Sequence, residues 1–343
     1  MGSLVQDEPA AKRPKLGLAP ELRVDALEFD LPISAHAPEL YRPTEGWKVN
    51  RVEEGGLPAV SDAHANEFGQ QGYVVVEDAL SGSEVDSILQ ALREVVQSED
   101  FQSRARQTAA LQAAGTKDLA LGGCNPVLQF EAFARGMQGE GLYRLENVRK
   151  LMGFHEIHPR IEALASDPAL LGVVRRLLTE AGCSASDLEH IDVFQSLALV
   201  KPPGGREKPW HQDNAYFNVD WSKVRMVGVW IALTEVTADN GAMHVLPAPL
   251  SELRPITHFQ RRDWQICDKD VLNGDRRCLA VPLHPGGALF FSTLLPHGTP
   301  TNTSDSTRYA IQFHFIPRSF AARCGTAERQ SIWGEGGKEG ASC

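Results

Sequence analysis

Hydrophobic positions follow a helical period in the first half of this chain and a strand period in the second. Apolar residues at i, i+3, i+4 and i+7 predict one helix capped by Ser81 or Ser83 and another over residues 167–181. A shorter helix is predicted between Ser61, which can cap its first turn, and Gly72, which tolerates the left-handed backbone of a helix end. The β-branched run at residues 73–76 then predicts a short strand.

From residue 191 onward, apolar and polar residues alternate, which is the period of half-buried strands. Gly and Pro turns separate the predicted strands, which are residues 191–201, 225–235, 242–247, 280–283, 287–292 and 307–317. Helices followed by a series of strands predict an α+β fold. The segment 225–235 is apolar on both faces, as expected of a strand between a barrel interior and a covering helix.

Composition divides the chain into a folded domain and two tails. Residues 1–60 are predicted to form a tail, partly disordered or wrapped against the domain. One domain is predicted over residues 61–320, with an Ala- and Gln-rich insertion at about 100–140. That insertion is interpreted equally well as a wall of the substrate site or as a plain helical excursion. The Gly-rich residues 321–343 are predicted to be a flexible C-terminal tail.

The net charge and the cysteine content limit which partners and which cellular compartment we expect for this protein. The net charge of -10 argues against a general nucleic-acid binder and against an anionic membrane surface as partner. The 6 cysteines include no C-x-x-C pair, which predicts reduced thiols in an intracellular protein. No apolar run is long enough to span a bilayer. We therefore expect a cytoplasmic protein with a small-molecule substrate, although the basic run Lys12–Lys15 is a candidate nuclear-import signal. The oligomeric state is not indicated.

Two histidines and a carboxylate are placed to share a metal ion. His211 and Asp213 stand two positions apart, and alternate side chains of an extended strand point to the same face. His297 follows a strong predicted strand and is the third ligand candidate. Two imidazoles and one carboxylate leave one side of an ion open, as in non-haem Fe(II) oxygenases. Because the chain has 11 histidines, the spacing alone also allows a chance pattern of ordinary polar residues.

Arg308 opens the last predicted strand, on the face that it shares with Gln312 and His314. Burying an unpaired guanidinium is costly, and its planar fork suits a carboxylate. The metal would then hold one end of a small dicarboxylate and Arg308 the other. A surface ion pair with Asp305 is the alternative.

Several of these segments resemble one enzyme family. The segments LVKPPGGREKPWHQDNAYF, GVWIALTEVTADNGAMHVLPAP and HPGGALFFSTLLPHGTPTNTSDSTR are similar to those of the phytanoyl-CoA dioxygenase family, and the resemblance covers about residues 61–318. It implies a double-stranded β-helix, a jelly-roll or cupin-like barrel, with flanking N-terminal helices. It also implies an Fe(II)- and 2-oxoglutarate-dependent dioxygenase that uses O2. Such an enzyme oxidises, most often hydroxylates, an unactivated C–H bond of a small molecule and releases succinate and CO2.

The resemblance also assigns roles to individual residues. His211, Asp213 and His297 match the catalytic iron ligands, and Arg308 matches the residue that binds the far carboxylate of 2-oxoglutarate. The further candidates for contact with the co-substrate are Thr299, Gln195, Trp230 and Arg144. The Asn240-Gly241 pair and Asn302 match structural turn positions rather than catalytic ones.

Two questions stay open at the level of sequence. A non-catalytic or differently metallated cupin-like binding protein, with zinc or manganese held by His211, His297 and His284 or His314, is the alternative function. The substrate could be an acyl-CoA, an amino acid or a natural product. Because no basic cluster stands near the pocket motifs, the sequence does not favour the phosphates of an acyl-CoA.

Overall fold

The computed structural model describes residues 38–103, 105–106, 128–131, 134, 137, 139–217, 220–221, 224–260, 263–272 and 277–321. The candidate import signal Lys12–Lys15, most of the predicted insertion and nearly all of the predicted C-terminal tail lie outside these residues.

Helices lie mainly ahead of the strands along the chain. They are α1 (Asp62–Gln71), α2 (Gly82–Gln97), α3 (Pro159–Ala165), α4 (Pro168–Glu180), α5 (Asn214–Phe217), α6 (Asp268–Leu272) and α7 (Arg318–Ala321). Of the two candidate caps, Ser81 caps α2, and Gly72 ends α1 with φ 77°, as predicted. Asp167 caps α4 by accepting hydrogen bonds from the amides of Ala169 and Leu170, both at 2.9 Å.

All seven predicted strands are present, and most are shorter than predicted. The strands are β1 (Arg51–Val52), β2 (Tyr73–Val76), β3 (Leu128–Phe130), β4 (Val148–Met152), β5 (Ile191–Lys201), β6 (Lys208–His211), β7 (Val227–Ala232), β8 (Met243–Val245), β9 (Phe259–Gln260), β10 (Trp264–Gln265), β11 (Leu279–Val281), β12 (Ala288–Ser292), β13 (His297–Thr299) and β14 (Arg308–Pro317). The other strands, β1, β3, β4, β6, β9, β10 and β13, were not predicted, because two or three alternations are too few to show a period.

The strands form two main sheets. The larger has the order β1-β2-β12-β7-β14-β5-β4-β3, and the smaller has the order β11-β8-β13-β6. Strands β1 and β2 run parallel, and the other neighbours in both sheets run antiparallel. The predicted α+β class is confirmed, and the two facing sheets are the layers of a jelly roll.

The larger sheet buries both of its faces, and strand β14 shows how. Ile311, Phe313 and Phe315 point to the helix-covered side, where they join a cluster with residues of α2 and α4. Ala310 points to the other side and packs with apolar residues of both sheets. Each fully buried Phe contributes about 2–3 kcal/mol through lost contact with water. Strand β7 is buried at all six positions, which confirms the prediction for the segment that is apolar on both faces.

The described residues before α1 pack against the domain. Leu40 and Tyr41 are buried, and Tyr41 stacks on Trp210 with ring centroids 5.7 Å apart. The Trp210 indole donates a hydrogen bond to the carbonyl of Leu40 at 2.9 Å. This segment therefore lies against β6, the strand that carries His211.

Candidate metal and co-substrate site

His211 and His297 stand directly opposite each other in the smaller sheet. They are paired across β6 and β13, with ring centroids 4.3 Å apart. His211 is the last residue of its strand. Asp213 consequently lies in the turn before α5 and not on an extended strand. The turn nevertheless brings its carboxylate back to both imidazoles.

One ligand atom from each of His211, Asp213 and His297 lies within 4.8 Å of the others. The Nε2 atoms of His211 and His297 face the Asp213 carboxylate at 3.5 and 3.6 Å. Each Nδ1 lies against a backbone carbonyl, that of Pro209 at 2.8 Å and that of Leu295 at 2.9 Å. A carbonyl only accepts, so Nδ1 carries the proton and Nε2 keeps the lone pair that binds a metal.

The protonation states of these three side chains also favour binding of a metal cation. Burial lowers the pKa of His211 to about 3 and lowers that of His297, so both imidazoles are neutral near pH 7. Burial alone would raise the pKa of Asp213, but the surrounding imidazoles of His297 and His314 hold it well below its ordinary value. Neutral imidazoles and an ionised carboxylate are the forms that bind metals.

Two side chains of β14 hold the Asp213 carboxylate. His314 Nε2 lies 2.7 Å and Gln312 Nε2 lies 3.3 Å from its Oδ2 atom. Both were placed by sequence on the face of Arg308, but neither was assigned to this contact. Gln212, between the two ligand candidates, points away, and its side-chain amide bonds to backbone groups of Arg254 and Ile256. His314 therefore orients a ligand, while His284 lies exposed beside Glu235 and away from the triad.

Arg308 is buried, with 3% of its surface exposed, so the predicted alternative of a surface ion pair is wrong. Within the described residues, its Nε and Nη1 atoms have no hydrogen-bond partner. Its guanidinium carbon lies 5.2 Å from the ring centroid of Trp230, whose Nε1 is likewise buried without a partner. Burial lowers the pKa of Arg308 to about 9, which leaves it charged at neutral pH. Buried donors without acceptors in the same cavity are expected to receive a bound anion.

One cavity of about 150 Å³ joins the triad to Arg308. Three of the other candidates, Thr299, Gln195 and Trp230, line it. Arg144 does not: its side chain is exposed and lies outside the cavity lining. Two basic residues from this part of the chain, Arg149 and Lys150, line the cavity instead. The Arg149 guanidinium bonds to Glu131 and to the carbonyls of Arg206 and Glu207.

The cavity wall is rich in basic side chains, so the expectation that no basic cluster borders the pocket is wrong. The basic residues in the lining are Arg149, Lys150, Lys201, Lys208 and Arg308. Four strands (β4, β5, β6 and β14) contribute them, so the cluster is not visible in the linear sequence. Lys208 is paired with Asp263 at 2.6 Å. Burial, followed by the charge of Lys208, lowers the pKa of Lys150 to about 8.

Two polar residues that the sequence assigns to structural turns have that role. The Asn240 side chain accepts a hydrogen bond from the Thr237 amide and donates one to the Glu235 carbonyl, both at 2.8 Å. Asn302 donates to the carbonyls of Lys201 and Ser306 at 2.9 and 2.7 Å. These bonds hold the loops at the Arg308 end of the cavity.

The sequence model of the phytanoyl-CoA dioxygenase (PhyH) family matches residues 68–310, well over half of the chain. This chain belongs to the phytanoyl-CoA dioxygenase family. Phytanoyl-CoA dioxygenase domain-containing protein 1 of Danio rerio is 25% identical to it over 277 residues, which are 76% of this chain and 91% of that protein.

Solved structures of low sequence identity share the fold. EvdO2 from Micromonospora carbonacea var. aurantiaca, complexed with 2-oxoglutarate, is similar with a TM-score of 0.53 at 20% identity, over 78% of this chain and 94% of that one. EctD from S. alaskensis, with 2-oxoglutarate and 5-hydroxyectoine, is similar with a TM-score of 0.51 at 20% identity, over 82% and 88% of the two chains. These likenesses confirm the predicted double-stranded β-helix.

Membership of the phytanoyl-CoA dioxygenase family confirms the predicted enzyme class, a 2-oxoglutarate-dependent non-haem iron oxygenase, and with it the expected cofactors. Within the described residues, every helix is too short or too polar to cross a membrane.

Proposed function

We propose that this chain hydroxylates an unactivated C–H bond of a small molecule, with His211, Asp213 and His297 as the iron ligands and Arg308 as the anchor of 2-oxoglutarate. The observation that carries the proposal is the pair of unpartnered nitrogens on the buried Arg308 guanidinium, in the cavity that also contains the triad. A zinc hydrolase would not need a buried cation at this place.

The residues fit both the metal and the co-substrate. The Nε2 lone pairs and the Asp213 carboxylate form a set of two nitrogen donors and one oxygen donor, which suits Fe(II) with open positions. Within the described residues, Arg308 offers two buried donors without acceptors, which a bound carboxylate can satisfy. When bound, iron, 2-oxoglutarate and O2 together supply the oxidising power for hydroxylation, with succinate and CO2 as co-products.

The chain's own side chains have three tasks in this function. His314 and Gln312 hold the Asp213 carboxylate toward the imidazoles. Arg308 and Trp230 would orient the co-substrate through their free donors. The apolar part of the cavity lining excludes water from the reacting centre; it includes Met152, Leu197, Leu199, Phe217 and Met243.

The decisive test measures succinate formed from 2-oxoglutarate by the Fe(II)-loaded protein, alone and with a panel of small acids, amino acids, acyl-CoA esters and natural products. We expect iron-dependent succinate in all cases and a rise above that background with the true substrate. His297→Ala should abolish it, because two ligands do not hold the metal in place.

Arg308→Met and Arg144→Met form a matched pair for the co-substrate site. Both variants remove one positive charge, but only Arg308 lines the cavity. Loss of charge-assisted hydrogen bonds should weaken binding of 2-oxoglutarate by roughly 10–100-fold in Arg308→Met and leave it unchanged in Arg144→Met. Tight metal binding with no 2-oxoglutarate turnover in the wild type would instead support a differently metallated or non-catalytic binding protein.

A further inference from the structure

A second buried basic side chain lies beside Arg308. Lys201, the last residue of β5, is the direct cross-strand partner of Arg308 and is only 4% exposed. Lysine is rarely buried without an acidic partner. In the part of the chain that the structure describes, no carboxylate lies within ion-pair distance of its ammonium group.

The ammonium group of Lys201 is held by three oxygen acceptors. Its Nζ donates to Thr299 Oγ1 at 2.7 Å, to the Thr299 carbonyl at 3.3 Å and to the carbonyl of Pro300. An ammonium group has three donors and no acceptor, so these contacts use all of its hydrogens. Lys201 is therefore fixed in position and cannot itself reach far into the cavity.

The contact with Lys201 determines which hydrogen bonds the Thr299 hydroxyl can still make. A hydroxyl has one hydrogen and two lone pairs, and Lys201 can only donate to it. One lone pair of Thr299 Oγ1 is thus occupied by the ammonium group, and its own hydrogen remains available for an acceptor elsewhere. Thr299 and Lys201 both line the cavity with Arg308, so that acceptor is expected there.

The charges at this end of the cavity favour an anion. Burial, followed by the charge of Arg308, lowers the pKa of Lys201 well below its ordinary value. A carboxylate bound beside Lys201 and Arg308 would offset the cost of burying their positive charges. The adjacent turn leaves room for the lysine stem, because a Cβ at Gly241 would lie 2.6 Å from Lys201 Cδ.

We propose that Lys201 is a positioning residue for the co-substrate. It turns the Thr299 hydroxyl toward the distal carboxylate of 2-oxoglutarate and adds a second positive charge beside Arg308. This inference rests on the proposed function. It extends that function from one anchoring arginine to a three-residue carboxylate site, Arg308–Thr299–Lys201.

The test compares two ligands of the Fe(II)-loaded protein by calorimetry without O2. One is 2-oxoglutarate, and the other is 2-oxopentanoate, which has the same chain length and a methyl group in place of the distal carboxylate. Lys201→Met should weaken 2-oxoglutarate binding by roughly 10–100-fold, the effect of losing charge-assisted contacts. It should leave 2-oxopentanoate binding unchanged, whereas general damage to the pocket would weaken both.

The variant Thr299→Val tests whether Lys201 acts on 2-oxoglutarate through the Thr299 hydroxyl. If Lys201 acts partly through the hydroxyl, the cost of Lys201→Met in the Thr299→Val background is smaller than in the wild type, since coupled residues are not additive. Lys48→Met, at an exposed position, is the control for loss of one positive charge and should bind both ligands normally.

The outcomes separate this inference from the function on which it rests. Wild-type protein that binds no 2-oxoglutarate would overturn the proposed function. Wild-type protein that binds it, with Lys201→Met binding it equally well or losing both ligands alike, would overturn the role of Lys201 alone.

Discussion

Each imidazole of the triad is fixed by a carbonyl two residues earlier in the chain. His211 uses Pro209, and His297 uses Leu295. His244 and His258 make the same local contact with Ala242 and Ile256, although neither belongs to the triad. The local contact therefore sets the tautomer, and only the convergence of three side chains on one point makes a metal site.

The residue that distinguishes Asp213 from an ordinary buried carboxylate is His314. It is fully buried, and its Nε2 lies 2.7 Å from Asp213 Oδ2. We expect His314→Phe, which keeps a ring next to Phe217, to lower Fe(II) affinity by about 10–100-fold, because outer partners orient metal ligands. A titration of the metal-free protein with Fe(II) under anaerobic conditions measures the change.

His190→Phe is the control for that variant, since His190 is exposed and lies outside the triad. Unchanged Fe(II) affinity in His314→Phe would show that Gln312 alone suffices to hold the carboxylate.

Among the elements, the turn before β8 shows how a short motif supports a distant site. Gly241 has φ 93°, a conformation that side chains rarely adopt, and it faces the stem of Lys201. The motif was correctly predicted to be structural, but its neighbour Lys201 stands 40 positions earlier in the chain. Only the packing of β5 against this turn brings the two together.

Gly241→Ala should therefore cost about 2 kcal/mol of folding free energy, through backbone strain and contact with Lys201. Gly82→Ala is the matched substitution, because a Cβ at that helical position meets nothing within 4 Å. It should be neutral or stabilising by up to about 1 kcal/mol. Urea unfolding of both variants measures the difference, and equal stabilities would contradict the strain at Gly241.

Over the whole molecule, burial holds several histidines in the neutral form. It lowers the pKa of His155, His244 and His258 to about 4 in each case. The unfolded chain binds protons at these residues near pH 6.5, while the folded chain does not until the pH approaches 4. The unfolded state therefore holds more protons across this interval, and stability falls as the pH falls.

We expect these three histidines to cost the metal-free protein about 5 kcal/mol of unfolding free energy between pH 6.5 and pH 5, a range in which most carboxylates stay ionised in both states. Urea titrations at the two pH values measure the loss. His155→Gln should lose less over the same interval, since it removes one of the titrating groups. A stability that stays constant from pH 6.5 to 5 would mean that these histidines are protonated in the folded state.

The local elements and the motifs were readable from sequence because each depends on neighbours in the chain. The helix caps Ser81 and Gly72 depend only on the residues next to them in the chain. The same holds for the alternation of apolar and polar residues along 307–317. The family resemblance predicted the triad and Arg308 because their order along the chain is characteristic.

What only the tertiary structure decided is which side chains from separate strands meet. His314 reaches Asp213 across 101 positions of the chain, and Lys201 reaches Thr299 across 98. The same convergence leaves Arg144 outside the cavity and assembles five basic residues within it. The spacing of residues within one strand predicts which face of the strand each side chain occupies. The long-range pairing of β5, β6, β13 and β14 decides which other side chains lie next to that face.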